Sequence, residues 1–373
     1  MKKYSTILLA GFLSVLSMHV NAEDSYNPVM NSVPSLTISP DAVASGMGDV
    51  GAATLPDVNS QFWNPSKYAQ IENAAGFSLS FTPWLSRLVS DINLSYVSGY
   101  YKLDENQALS GSLRYFSLGE VILREYLEDE GYGINPYEMA VDFGYSRKLS
   151  ENLSMGVSLR YILSDLMSGD DDVAPGSAFS ADISTYYKKP VYFGREKGSL
   201  AFGANISNIG TKISYDGGNT SYFIPTNLRV GTSVHYPIDK YNALNISLDL
   251  NKMLVPTSQD STQMTSDVSS IAGIFNSFSD APGGFKEEMQ EINGSLGLEY
   301  AYNNQFFVRG GYYYENQYKG NRKFYSFGAG FKMSMFRLDA SYLISQAQAS
   351  ALDGTLRFSL AFDLDGINML LGR

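Results

Sequence analysis

Gly46-Met47-Gly48-Asp49-Val50-Gly51 has the spacing G-x-G-x-x-G, which would cradle a pyrophosphate if it joined a strand to a helix. It follows Ser39-Pro40-Asp41 in a chain with an export-type leader, so nucleotide binding is not expected of it. Glycine at these positions reads instead as close backbone packing in a crowded interior. Glu128-Asp129-Glu130 and Asp170-Asp171-Asp172 could offer carboxylate oxygens to a hard cation, but neither has EF-hand spacing, and both read as solvated loop tips. Of the two histidines, His19 falls in the leader. That leaves His235 as the one candidate base for a serine hydrolase, with no G-x-S-x-G beside it. A two-histidine metal site cannot form, and the absence of cysteine removes disulfides, thiolate ligands and a lipidated amino terminus. The chain is therefore expected to be no enzyme, with no cofactor and no metal.

The elements that would position these residues repeat one pattern. From Ala75 to Leu364, short stretches of alternating apolar and polar residues are followed by polar turns, about fourteen times, as in barrels that cross a bilayer. Leu153, Met155, Val157, Leu159 and Tyr161, for example, interleave with Ser154, Gly156, Ser158 and Arg160. Alternate side chains of a strand point to opposite faces, so each segment has one apolar and one polar face. Each is long enough to cross a bilayer at a tilt. At the start, Lys2 and Lys3, the apolar residues 7–16 and Val20-Asn21-Ala22 read as a secretory signal cleaved before Glu23. After it, no apolar run approaches the roughly 20 residues of a transmembrane helix. Abundant aromatics, with 27 Tyr and 21 Phe, suit lipid-facing strands and interfacial girdles. A formal net charge of −11 argues against nucleic-acid partners.

The expected fold is all-β: a 14-stranded antiparallel transmembrane β-barrel with an N-terminal plug, integral to the cell outer membrane. Residues 1–22 are expected to be the signal peptide, 23–74 the plug and 75–373 the barrel. Short links (103–106, 149–151, 237–242, 303–304, 334) alternate with long ones (119–136, 166–177, 210–226, 254–291). Barrels of this kind have short periplasmic turns and long outer loops, which places both termini in the periplasm. One link, 189–198 between strands expected at 178–188 and 199–209, is too long for its periplasmic place. The inward parity carries Arg114, Asp142, Arg160, Asp182, Arg229, Asp249, Glu299, Arg309 and Arg357 among Ser, Gly and Asn. It lacks the dense charge ladder of an ion-selective pore. His235 falls at the inward, periplasmic end of its strand, where a structural role is expected. Four glycosylation-like triplets, at Asn93, Asn152, Asn205 and Asn245, read as two lumen residues around one lipid-facing residue.

In the longest loop, Ser266-Asp267 could cap a helix carrying Val268, Ile271, Phe275 and Phe278 on one face, stopped by Pro282-Gly283-Gly284. Such a face needs cover from the barrel mouth, from lipid or from another protein. With Tyr126 and Tyr132 in a second long loop, these are the candidate partner-binding residues.

The stretch from Ser39 to Asp49, followed by Asp57-Val58-Asn59-Ser60-Gln61-Phe62-Trp63-Asn64-Pro65-Ser66-Lys67-Tyr68, resembles the N-terminal region of the PorV outer-membrane proteins of type IX secretion, within the FadL-like barrel superfamily. Thr82-Pro83-Trp84 and Arg147-Lys148-Leu149-Ser150-Glu151 are similar to the same family, and the resemblance covers essentially the whole mature chain. It assigns Asp41, Gly46, Met47, Gly48, Trp63, Asn64 and Pro65 to the family's plug motif. Two residues depart from the pattern: Val43 stands where Arg is expected and Ser66 where Ala is usual. The resemblance implies a non-enzymatic shuttle with no cofactor. It would bind the C-terminal secretion domain of cargo at the type IX translocon barrel and deliver it to the surface attachment complex with its sortase. The alternative from the same superfamily is a FadL-type channel for hydrophobic compounds.

Overall fold

The computed structural model describes residues 26–85, 89, 91–124, 126, 130–166, 174–258, 268–346 and 352–363. The expected leader, the acidic tip at 170–172, Glu128, Asp129 and the Ser266-Asp267 cap lie outside them. Strands β1 (Ala75–Pro83), β2 (Asn93–Asp104) and β3 (Gln107–Ser117) begin the sheet. A small hairpin follows, β4 (Val121–Leu123) with β5 (Tyr132–Ile134). The sheet resumes with β6 (Tyr137–Lys148), β7 (Leu153–Asp165), β8 (Gly176–Phe193), β9 (Glu196–Gly210), β10 (Asn227–Pro237) and β11 (Asn242–Met253). It ends with β12 (Ile292–Tyr302), β13 (Phe306–Tyr314), β14 (Lys323–Met333), β15 (Phe336–Ser345) and β16 (Leu356–Asp363). Apart from the β4–β5 hairpin, these form one closed ring of fourteen antiparallel strands, in which β16 pairs with β1 from Gly76 opposite Asp363 to Phe81 opposite Phe358.

The alternation in the sequence becomes two surfaces. Along β7, Ser154, Ser158, Arg160 and Ile162 are buried inside the ring, whereas Met155, Val157, Leu159 and Tyr161 are exposed outside it. The twelve residues of β6 reach about 40 Å at the usual rise, enough to cross a bilayer core at a tilt. Charges on the inner face are set opposite one another by the register. Asp142 faces Arg160, and Glu299 faces Arg309. Arg160 bridges Asp142 (2.6 Å) and Asp182 (3.0 Å), while Arg309 bridges Glu299 (2.7 Å) and Asp339 (2.8 Å). A charge buried away from water is tolerable only with such partners.

The long link expected at 189–198 is strand instead. β8 and β9 run on as a ribbon, with Pro190 opposite Ser199 and Phe193 opposite Glu196, and Gly194 (φ 66°) in the turn. Asn303 and Asn304 both adopt φ 52°, as a tight two-residue hairpin requires. The triplet at Asn93 departs from the expected parity: Leu94 is fully buried and faces inward, opposite Thr82 and Phe116. The outer half of the lumen is apolar here, so period 2 holds while the polarity of the two faces does not.

The position of the N-terminal end also corrects an expectation. Asn27 N donates to Tyr318 O and Ser32 N to Phe223 O, both at 2.9 Å and both in long loops. Lys102, at the end with short turns, donates through Nζ to Ile71 O (2.9 Å). The N-terminal segment therefore enters the ring at the long-loop mouth and leaves at the short-turn mouth, directly into β1. On the sidedness that the loop lengths imply, its first described residues stand at the outer mouth rather than the periplasmic one. A segment without a strand period carries no signal from which this path could be read.

Candidate functional site

The N-terminal segment fills the ring through two short helices, α1 (Ala42–Ser45) and α2 (Ser60–Trp63), and a 3-10 turn over Pro65–Gln70. Asp41 caps α1, its Oδ1 accepting from Val43 N and Ala44 N, both at 3.0 Å. Its Oδ2 accepts from Trp63 Nε1 at 2.6 Å, which ties the two helices together. The Trp63 ring covers Gly51, where a Cβ would collide with it, and the Arg229 guanidinium lies 4.3 Å from a Trp63 ring centroid. Asn64 caps the 3-10 turn, with Pro65 in the first position, where its missing N–H costs nothing. Asn64 Nδ2 donates to Ala52 O (2.7 Å) and Thr185 O (2.9 Å), joining segment to wall.

The glycines sit where backbone meets backbone. A Cβ on Gly46 would lie 3.1 Å from Gly328 Cα, and one on Gly48 (φ 71°) 2.7 Å from Tyr312 N. Met47 packs with Val43 and Val50 in a buried cluster, so the unexpected Val43 is an apolar filler. Ser66 donates to Asn64 Oδ1 (2.5 Å), and its N–H donates to Ser184 Oγ (3.0 Å). Wall side chains receive the remaining amides. Ser359 Oγ accepts from Ala42 N (2.9 Å), Ser326 Oγ from Gly48 N (2.7 Å), and Asp249 Oδ2 from Gly51 N (2.7 Å) and Ala52 N (2.8 Å). Together these contacts reach β8, β10, β11, β13, β14 and β16.

Two cavities flank the segment. One of about 390 Å³, toward the loops, is lined by Leu36, Phe62, Trp84, Phe116, Arg114 and Arg357 among others. The other, of about 300 Å³ at the short-turn end, is lined by Leu55, Ile71, Lys188 and Lys332 and shares no lining residue with the first. His235 belongs to neither. Its Nδ1 lies 2.6 Å from Asn245 Oδ1, and Asn245 in turn donates to Glu299 Oε1 (2.8 Å).

The loop after β11 holds two helices, α3 (Ser270–Asn276) and α4 (Phe285–Gln290). The cap of α3 is Ser269, which accepts from Ala272 N (3.3 Å), so Val268 precedes the helix rather than lying in it. Ile271 and Phe275 share one face of α3, with Phe278 just beyond its end; all three are exposed, Phe275 at 72%. On the other face Gly273 is buried against Phe223 and Pro256. Tyr126 and Tyr132 are exposed on a different loop, Tyr132 within the β4–β5 hairpin.

The sequence did not reveal what holds this platform. Lys252 Nζ meets Glu288 (3.0 Å) and Glu291 (2.6 Å), while Lys319 Nζ meets Glu287 (2.5 Å) and Glu291 (3.0 Å). Asn27 Nδ2 adds a bond to Glu287 (3.1 Å), so the N-terminal segment is part of the outer platform. Burial, then the neighbouring carboxylates of Glu288 and Glu291, push Asp280 up to about 6. Burial works against ionisation of Glu287 too, but hydrogen bonds from Lys319 and Gly283 prevail and hold it below the usual carboxylate value. Three glutamates spaced along a helical stretch were the available signal, but their partners are distant in sequence.

The sequence matches the family described as type IX secretion system protein PorV over residues 21–260. No curated protein matches it. Among solved structures, the chain is similar to the Pseudomonas putida toluene transporter TodX at 10% identity, covering 91% of this chain and 99% of that one, with a TM-score of 0.53. It is also similar to the Ralstonia pickettii toluene transporter TbuX at 12% identity, covering 86% and 97%, with a TM-score of 0.49. At these identities the likeness to TodX speaks for the fold alone.

Proposed function

The chain belongs to the PorV family of type IX secretion proteins of the outer membrane, and on that premise we propose that it is a non-enzymatic cargo shuttle with residues 23–74 as its plug. In this reading its outer loops bind the C-terminal secretion domain of cargo at the translocon barrel and deliver the cargo to the sortase-bearing attachment complex. The observation that supports it most is the pinned loop platform. Buried Lys252 and Lys319 hold α4 and its C-cap Glu291, while Phe275, Phe278, Phe285 and Met289 stay exposed. Exposed apolar side chains on a rigid frame bind a protein without a large ordering cost.

A tagged protein should recover the translocon barrel and cargo bearing the secretion domain from detergent-solubilised outer membranes. Recovery of neither would sink the shuttle reading. Phe275→Asp with Phe278→Asp should leave the barrel heat-modifiable on gels while reducing cargo display several-fold; normal display would assign both side chains to packing.

The cavity of about 390 Å³ beneath the loops favours a second reading, a channel for hydrophobic compounds. It ends at Trp63 and the plug, so conduction would need the plug to move. Uptake of an apolar solute by vesicles holding the protein, absent from empty vesicles, would support that alternative.

A further inference from the structure

Beneath α3 the outer wall of the barrel has a groove of about 670 Å³. Its strand side is formed by outward residues of β6, β7 and β8, among them Phe143, Leu159 and Phe179, which are 71%, 65% and 65% exposed. On a membrane-crossing strand, exposure of that size is contact with lipid, so the groove continues the lipid-facing surface. It is concave because its wall is locally small. Ala181 lies where the β8–β9 register shifts, and at Gly210 a Cβ would collide with Phe179 O. Ile271 and Ile274 of α3 close it from above, beside the hydroxyls of Thr211, Ser269 and Ser270.

We propose that this groove seats an acyl chain of an outer-leaflet lipid, and that α3 rests on that chain through Ile271 and Ile274. The lining supports it: Arg160 and Ser180 are buried toward the lumen, so the strands present chiefly Val141, Phe143, Leu159, Tyr161 and Phe179 to the groove, while Thr211, Ser269 and Ser270 add hydroxyls at the loop end, as a lipid with its head group outward requires. A peptide strand in the same place would bury amides with few wall groups to receive them, whereas an acyl chain has none to satisfy. The opposite face of α3 is already occupied, with Gly273 against Phe223 and Pro256. The helix is thus held by protein on one side and lies over lipid on the other.

The test uses the full-length protein in phosphatidylcholine vesicles whose acyl chains carry bromine, a contact quencher of tryptophan. Each variant's fluorescence is read against the native signal from Trp63 and Trp84. Tryptophan in Ile274→Trp and, separately, Ile271→Trp should be quenched to within about two-fold of Phe143→Trp on the lipid-facing wall, because contact quenching reports depth in the apolar layer. Asn219→Trp, at an exposed loop tip, supplies the unquenched reference. If both α3 variants match Asn219→Trp, the helix is not on lipid and the proposal fails. Adding Ala181→Phe fills the groove from its outer side and should lower the quenching of Ile274→Trp; unchanged quenching would overturn the groove as the seat. None of these readouts depends on cargo, so their failure is separable from failure of the shuttle reading.

Discussion

Trp63 and Asp41, 22 positions apart, are joined by a 2.6 Å hydrogen bond in which the indole N–H donates to the carboxylate that also caps α1. Both residues are buried, Asp41 completely. Asp41→Ala removes a helix cap and leaves a buried indole N–H unpaired, together worth about 2 to 4 kcal/mol. The expected result is a plug that is cut by protease under conditions where the barrel stays heat-modifiable, with a shifted Trp63 emission. Unchanged protease resistance would mean that the pair is not what holds the plug.

Gly311 of β13 touches the plug backbone at Met47 and Gly48 so closely that a Cβ there would overlap main-chain atoms. No flexible side chain can give way, so Gly311→Ala should cost about 1 to 3 kcal/mol of overpacking, borne by the plug. Loosening should appear as higher uptake of a large antibiotic by intact cells. Gly310→Ala on the same strand, whose methyl would meet only Ser326 O at 4.0 Å, supplies the control.

The outer platform should have a pH optimum. Asp280 is raised to about 6, so its contribution is complete below the ordinary carboxylate value and is lost as pH rises through about 6. Glu287 is lowered, so its contribution is present above the ordinary value and is lost as pH falls through its depressed pKa. Protection against hydrogen exchange across residues 268–291, measured relative to the intrinsic rate at each pH, should therefore be highest near about pH 5 and lower at pH 7.5, as these two opposite linkages require. Asp280→Asn should abolish the difference between pH 5 and 7.5.

Because the chain has no native cysteine, its topology can be read with single introduced thiols. Tyr26→Cys should react with a membrane-impermeant maleimide on intact cells, since Tyr26 is exposed at the long-loop mouth. Glu105→Cys, in a short turn, should react only after permeabilisation. The reverse pattern would invert the barrel.

Strand count and most strand ends were legible because Leu153 through Tyr161 and its counterparts carry a period of two that only a half-polar sheet explains. The lumen pairs were half legible. Arg160 and Asp142 were both placed inward, but their contact depends on register, which the local pattern does not state. Leu94 misled because the polarity of a face was assumed constant along the strand. The run from Asp41 to Pro65 could be recognised by type and spacing, whereas its path, outside to inside, could not. The partners that define it, Tyr318, Asp249 and Ser184, lie more than a hundred residues away.

The seam between β1 and β16 shows what the plug contributes to the ring itself. Ser80 Oγ meets Ser359 Oγ across the seam at 2.7 Å, and Ser359 also receives Ala42 N from the plug, while Arg357 Nε on the same strand donates to Ser39 O (3.2 Å). The closing strand is thus held from two directions, by its neighbour across the seam and by the N-terminal segment, which is bonded to β8 and β11 as well. The segment acts as an internal brace across the place where the ring shuts, and its loss should loosen that seam ahead of the other strand pairs.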